Sequence, residues 1–425
     1  MSIAKVILSL ALVGCGFPDP DPNPPAAPAE NDPAFTVFGA GWHVIGNAAT
    51  PSQDTMSLEV YVAPGTDFVD VWVTGLPVKR LADEGGIFVG DIDLSSLPVG
   101  NYDLLLAANG SDVAFAKLPV VRSAPYYVLV TTDWDFSDPG DVVIDYQNRI
   151  HDEHPDMRIT HFIGPYTFTD PEVTVARQQE LVSWLVEQRD EHRDEIGLHI
   201  HPWCHFIESA GVTCITDQST TMPTDPSGYT IKVAAYDRQQ FGVILDRATE
   251  LFEQNGLNRP KTFRAGGWTA GIDTLNALAD KGFTADTSAL NWARIEEWDG
   301  TELYNWNMEN WGPIDDTSQP YFPSTTDPLS SAAPTMTLLE VPDNGVMIDY
   351  VTLAEMTGLF DANWNGEPLS APSTLMMGFH PSINFSRYEG DRVDNFLDYA
   401  DQHSSTKHLG PVVYITLDEL ATAYR

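Results

Sequence analysis

Tyr126-Tyr127-Val128-Leu129-Val130-Thr131-Thr132-Asp133-Trp134-Asp135 is an apolar run that ends on two aspartates. The run shows no polar alternation, so Tyr126 to Thr132 reads as a strand buried on both faces, the kind that parallel sheets contain. Downstream, strands and helices alternate. A helix is expected over Asp141 to His151, then a strand over Arg158 to Ile163. Asp170 is expected to cap the next helix with Pro171 in its first turn, and Leu181, Val182, Leu185 and Val186 form the apolar stripe. A strand follows from Glu195 to His201. Asp237 caps a further helix, with the stripe Phe241, Ile244, Leu245, Ala248, Leu251 and Phe252, and Gly256 ends it. Strands then read at Lys261 to Arg264, Phe283 to Asp286, Leu338 to Val341, Leu375 to His380 and Val412 to Thr416. Such repetition predicts an α/β unit with a parallel sheet, of which a barrel is the closed form.

Upstream the pattern differs. From 35 to 122 the sequence shows short period-two runs, such as Ser57 to Val62 and Val69 to Val73, separated by turn signals such as Pro64-Gly65 and Asn109-Gly110. Their spacing predicts a small all-β sandwich of immunoglobulin-like type, acting as an accessory domain. Residues 16–34 are rich in Pro, Asp and Ala without an apolar period, and read as a semi-rigid linker. Residues 1–15 carry Lys5, a short apolar stretch and the run Leu12-Val13-Gly14-Cys15. That stretch is too short for a permanent membrane span and resembles a bacterial lipoprotein signal, with Cys15 as the lipidated residue. An exported, lipid-anchored protein of the cell envelope is the expectation. Cys204 and Cys214 are then free to pair in an oxidising compartment, although sequence alone does not establish the bond. With 22 basic against 61 acidic residues, a formal charge of −39, nucleic acid is excluded as a natural partner.

Polar residues collect at the carboxyl ends of the expected strands, where parallel α/β folds build their sites. Asp133 and Asp135 lie two apart, so extended backbone points both carboxylates to one side. In Gly197-Leu198-His199-Ile200-His201-Pro202-Trp203, His199 and His201 share one strand face and suit a borderline metal such as Zn²⁺. His205, four residues beyond His201, is a rival ligand. Arg264, in Phe263-Arg264-Ala265-Gly266-Gly267-Trp268, ends a strand where it can pair with a carboxylate. His380, in Phe379-His380-Pro381, ends another. Trp134, Trp203 and Trp268 flank these motifs and are expected to line the cleft. Five aromatic residues between Asn291 and Thr335, Trp292, Trp298, Trp306, Trp311 and Tyr321, read equally well as a glycan-binding wall or as a self-packed insertion.

The order of these motifs, with Asp286-Thr287-Ser288 and Glu340-Val341-Pro342 between them, resembles the polysaccharide deacetylases with a NodB-type domain, the carbohydrate esterase family 4-like group. The likeness runs from about Ala124 to Arg425. It implies an incomplete (β/α)7 barrel over 123–425 that removes N- or O-linked acetyl groups from a carbohydrate with a divalent metal. By the same resemblance Asp133 is the catalytic base, Asp135 and His199 are metal ligands, Arg264 orients the base, and His380 is the general acid. Two features depart from the family pattern. Trp134 separates the two aspartates, and the position four residues after His199 is Trp203. Pairing His201 with His205 restores the family spacing but loses the match of Glu195-Ile196-Gly197 to the preceding strand, so His199 with His201 is preferred. A metal hydrolase of a non-sugar amide and a non-catalytic glycan-binding lipoprotein are the alternative functions.

Overall fold

A strand without a polar face must be covered on both sides, and all eight residues of Tyr126–Asp133 (β1) are buried. In this computed structural model, which describes residues 17–381 and 390–425, β1 is followed by Ile159–Ile163 (β2), Glu195–Ile200 (β3), Thr262–Ala265 (β4), Ala285–Asp286 (β5), Leu339–Glu340 (β6), Ser373–Phe379 (β7) and Val412–Tyr414 (β8). The sheet order is β6-β5-β4-β3-β2-β1-β7, every neighbouring pair parallel, and β8 pairs with the first residues of β1. Beyond β6 the chain crosses to the opposite edge. Gly345 N donates to Met376 O and Ile348 N to Gly378 O, both at 2.8 Å. The sheet therefore curls until its edges meet through an irregular segment, with the strand ends that bear the polar motifs gathered at one rim.

Helices cover the outside. Asp141–Glu153 (α1), Val175–Glu187 (α2), Cys204–Ser209 (α3) and Arg238–Gln254 (α4) follow β1, β2 and β3. Helix α4 buries the expected stripe from Phe241 to Phe252, and Asp237 caps it in a reciprocal capping box with Gln240. Asp170 does not start α2, contrary to expectation. Its carboxylate is taken by Glu172 N and Ser137 Oγ, at 2.8 and 2.7 Å, and the helix begins at Val175 with Thr174 accepting from Arg177 N. Two cap-competent side chains lie four residues apart, and the one whose oxygen is free caps the helix. Cys204 and Cys214 form a disulfide.

The chain divides into two compact units, one running to Gly41 and resuming at Gln53–Arg122, the other comprising Trp42–Ser52 and Ser123–Arg425. The division is thus not a single cut near 122. Residues 42–52 belong with the barrel, where Asn47 Nδ2 donates to the Tyr127 hydroxyl at 2.7 Å. The first unit holds two antiparallel sheets. One is ordered Thr36–Phe38, Thr55–Tyr61, Ile87–Asp93, Ala82–Asp83, and the other includes Lys79–Arg80, Val69–Val73, Gly100–Ala108 and Ala116–Ser123. Residues such as Met56, Val60, Val71 and Leu104 from both sheets share one core. Residues 17–34, expected as a solvated linker, instead lie along this unit. Ala26 exchanges backbone hydrogen bonds with Asp112 O and Ala114 N, both at 2.9 Å, and Trp72 Nε1 donates to Asp21 O at 3.0 Å. Extended proline-rich backbone has no internal hydrogen bonds, so its carbonyls are available to a neighbouring edge. Cys15, the expected lipidation site, lies outside the described residues.

At the start of the insertion the barrel buries two facing carboxyls, Asp286 and Glu340, both 0 % exposed. Asp286 accepts from Ser288 N and Oγ, and Glu340 Oε1 accepts from Ala289 N, but Glu340 Oε2 meets no N–H or hydroxyl. Burial first, and then Asp286, pushes Glu340 well above the usual carboxyl range, while burial raises Asp286 to about 6. Both shifts favour a proton held by the pair. Because the folded protein holds protons that the unfolded chain has released, stability is full below the ordinary carboxyl pKa and falls as pH rises through about 6. Glu340→Gln supplies a permanent donor in the proton's place. Its unfolding free energy should decline measurably less than wild type between mildly acidic and mildly alkaline buffer. Parallel denaturation curves for the two proteins at every pH would refute the shared proton.

Candidate active site

Arg264 in β4 is fully buried and cannot lose its charge, so its partners organise the rim. Its Nη1 donates to Asp133 Oδ1 and to Thr131 Oγ1, both at 2.9 Å, and its Nη2 lies 3.2 Å from Asp343 Oδ2. The guanidinium therefore forks between two carboxylates instead of holding Asp133 bidentately. Burial raises Asp343 to about 6, with Arg264 opposing the rise. The Arg264 carbonyl accepts from His199 Nδ1 at 3.0 Å.

His199 and His201 point the same way because β3 is extended to Ile200. His201 Nδ1 donates to Tyr229 O at 2.8 Å. With each Nδ1–H tied to a carbonyl, both Nε2 lone pairs face inward, the arrangement that orients imidazole ligands in metal sites. They lie 3.3 and 3.4 Å from Asp135 Oδ1. Among the described residues, Asp135, His199 and His201 form the group with three ligand atoms within 4.8 Å of one another. Burial would raise the Asp135 pKa, but His380, His201 and His199 hold it well below the usual carboxylate range. Gly266 makes room for the cluster, since a Cβ there would stand 2.7 Å from the His201 ring. His205 faces elsewhere and pairs through Nδ1 with Thr169 Oγ1 at 2.9 Å. On α3 it turns away from the rim, so the rival spacing is not the one the fold brings together.

His380 follows β7, its Nε2 3.9 Å from Asp135 Oδ1 and its Nδ1 hydrogen-bonded to Asp349 Oδ2. Burial lowers its pKa, yet Asp349 and Asp135 outweigh burial and lift it to about 10. Asp133, Asp135, His199, His201 and His380 all line one cavity of about 120 Å³, with Trp268, Trp298 and Tyr350 among its walls.

The tryptophans divide. Trp268 faces the cavity. Trp203 donates from Nε1 to Asp135 O at 3.3 Å and lines the neighbouring depression with Phe136 and His205. Trp134 contradicts the expectation: it is 1 % exposed, packed with Trp184 in the core. The alternation that aligns Asp133 with Asp135 sends the residue between them to the opposite face. In the insertion, Trp292 and Trp311 are core residues, whereas Trp298 reaches the cavity. Sequence reading missed Asp343, Asp349 and Tyr229. Asp343 follows the β6 strand end and was open to the same strand-end argument as the others. Asp349 and Tyr229 lie in irregular segments that carry no periodic signal.

No protein-family model matches the chain, and no curated protein matches it in sequence. Comparison with solved structures gives a Mycobacterium smegmatis protein assigned as a polysaccharide deacetylase, 15% identical with a TM-score of 0.41, covering 70% of this chain and 89% of that one. A family 4 carbohydrate esterase from Streptomyces lividans is 10% identical with a TM-score of 0.34, covering 70% and 95%. A family 4 pseudoenzyme from Bacillus anthracis is 10% identical with a TM-score of 0.35, covering 70% and 66%. At these levels, the chain is similar to polysaccharide deacetylases and family 4 carbohydrate esterases.

Proposed function

We propose that this chain is a metal-dependent deacetylase that hydrolyses acetyl groups, N- or O-linked, on a carbohydrate at the cell envelope. One observation carries the reading: a three-atom metal-binding group, a carboxylate held by a buried arginine and a histidine held by a carboxylate converge on one cavity. The carbohydrate class and the envelope rest on the sequence motifs and the lipoprotein-like start. The strand order of the first unit likewise supports an immunoglobulin-like accessory domain.

Two neutral imidazole nitrogens and one carboxylate oxygen suit Zn²⁺ or a similar divalent ion, leaving positions open for water and substrate. When bound, such an ion supplies Lewis acidity that polarises an acetyl carbonyl and acidifies water. Asp133, at the cavity wall, removes the proton of the attacking water, and the hydrogen bond from Arg264 Nη1 aims that carboxylate. His380 Nε2 then delivers a proton to the departing amine or alkoxide, while Asp349 fixes the ring through Nδ1. Both proton-transfer groups line the cavity that Asp135 lines, so one bound acetyl group is within reach of each in turn.

Acetate release from acetylated oligosaccharides, measured with and without added metal, tests the assignment directly. Asp133→Asn should lower kcat by about 10²–10⁴-fold at unchanged metal content, and full activity would sink the base assignment. Asp349→Asn should lower kcat less than His380→Ala does, with KM and metal content near wild type. His201→Ala should lose stoichiometric metal by elemental analysis while His205→Ala retains it; the reverse outcome would move the metal to the other histidine pair.

A further inference from the structure

Tyr229 touches two members of the metal-binding group at once. Its hydroxyl donates to Asp135 Oδ2 at 2.8 Å, its main-chain carbonyl accepts from His201 Nδ1 at 2.8 Å, and its ring lies on the His201 imidazole with centroids 4.3 Å apart. No strand or helix carries it. The loop between α3 and α4 is instead knotted around Asp225, which accepts from Ser227 N and Oγ and from Thr230 N and Oγ1 at 2.7–2.9 Å. That knot is fastened directly behind His201. Cys204 N donates to Ser227 O at 2.7 Å, and the Cys204–Cys214 disulfide ties the start of the loop to α3. Gly228, at φ +84°, permits the close approach, since a Cβ there would come 2.1 Å from Pro202 O.

We infer that Tyr229 is a positioning residue that sets the metal affinity of the site. The inference rests on the metal-centre reading above and goes beyond it by assigning the residue that orients two ligands. The phenol engages Asp135 Oδ2 and leaves Oδ1, the oxygen facing both imidazole Nε2 atoms, as the single ligating atom. The carbonyl pins the His201 tautomer, so that Nε2 keeps its lone pair for the ion. Partners of this kind fix ligand direction, the carbonyl also raising the basicity of His201, and losing one weakens metal binding about 10–100-fold.

Phenylalanine is the clean substitution. Tyr229 also stacks on Trp203 and Phe136, at 5.0 and 5.5 Å between centroids, so Tyr229→Phe keeps the ring contacts and the carbonyl and removes only the hydroxyl. The experiment measures Zn²⁺ affinity of the full chain by chelator competition, together with the Tm of the metal-free protein and the visible spectrum of the Co²⁺ form. Y229F should bind Zn²⁺ about 10–100-fold more weakly at an unchanged metal-free Tm, with an altered Co²⁺ spectrum as Asp135 Oδ2 becomes free to coordinate. Wild-type affinity in Y229F overturns the inference. So does weakened binding matched by a lowered metal-free Tm, which assigns the hydroxyl to folding instead. Absence of Zn²⁺ binding by the wild type is a separate outcome and refutes the metal centre itself.

Discussion

A guanidinium sealed inside a protein must be matched by carboxylates, and the rim of this barrel is arranged around that requirement. Arg264 draws Asp133 from β1 and Asp343 from the segment after β6 to the same fork, joining three stretches distant in sequence. Removing one partner of such a buried pair costs about 3–5 kcal/mol, because the other charge is left stranded. The pairing of Asp133 with Arg264 is thus a condition of the fold before it is a condition of chemistry. Arg264 also serves the other half of the site, since its backbone carbonyl accepts from His199 Nδ1 and fixes that tautomer. The proposed base and the proposed metal ligands are therefore coupled through one position on β4.

Much of this was legible in the sequence because extended backbone has a fixed period. The period of two places His199 with His201 and Asp133 with Asp135, and the structure brings three of those four onto one point. Applied without exception, the same rule places Trp134 in the core, and reading it as a cleft residue set the rule aside. The β1 run and the α4 stripe were readable for a related reason: burial imposes a pattern on every residue of a regular element. The start of α2 was not, because Asp170 and Thr174 are both competent caps and only the tertiary partner Ser137 decides between them.

The residues that escaped the sequence share a property. Asp343, Asp349 and Tyr229 orient other side chains, and each lies outside the regular elements. A strand end can deliver an imidazole or a carboxylate to a rim, but its pleat fixes the direction from which the side chain arrives. Holding the far nitrogen of that imidazole requires a group from another direction, supplied for His199 by the neighbouring strand and for His201 and His380 by irregular segments. The 343–349 segment does so with the Asp349 carboxylate while closing the sheet, and the Asp225-knotted loop does so with the Tyr229 carbonyl by folding back on Pro202–Cys204. For Asp349 and Tyr229 such placement depends on where two distant segments meet, and no local pattern encodes it; Asp343 alone lay within reach of the strand-end argument.

Charge accounting at the rim favours an ion over a purely organic site. Asp133, Asp135, Asp343 and Asp349 face Arg264 and a His380 whose pKa lies near 10. Four formal negative charges against two positive ones leave two unmatched within a largely buried cluster. Uncompensated charge of that size is costly away from water, and buried acids ordinarily respond by taking up protons. Asp135 does the opposite, held well below its ordinary pKa chiefly by His380 against the effect of burial. A carboxylate oxygen with two imidazole Nε2 atoms 3.3 and 3.4 Å away, each ring turned by the carbonyl on its Nδ1, is placed for a doubly charged cation, whose charge equals the imbalance.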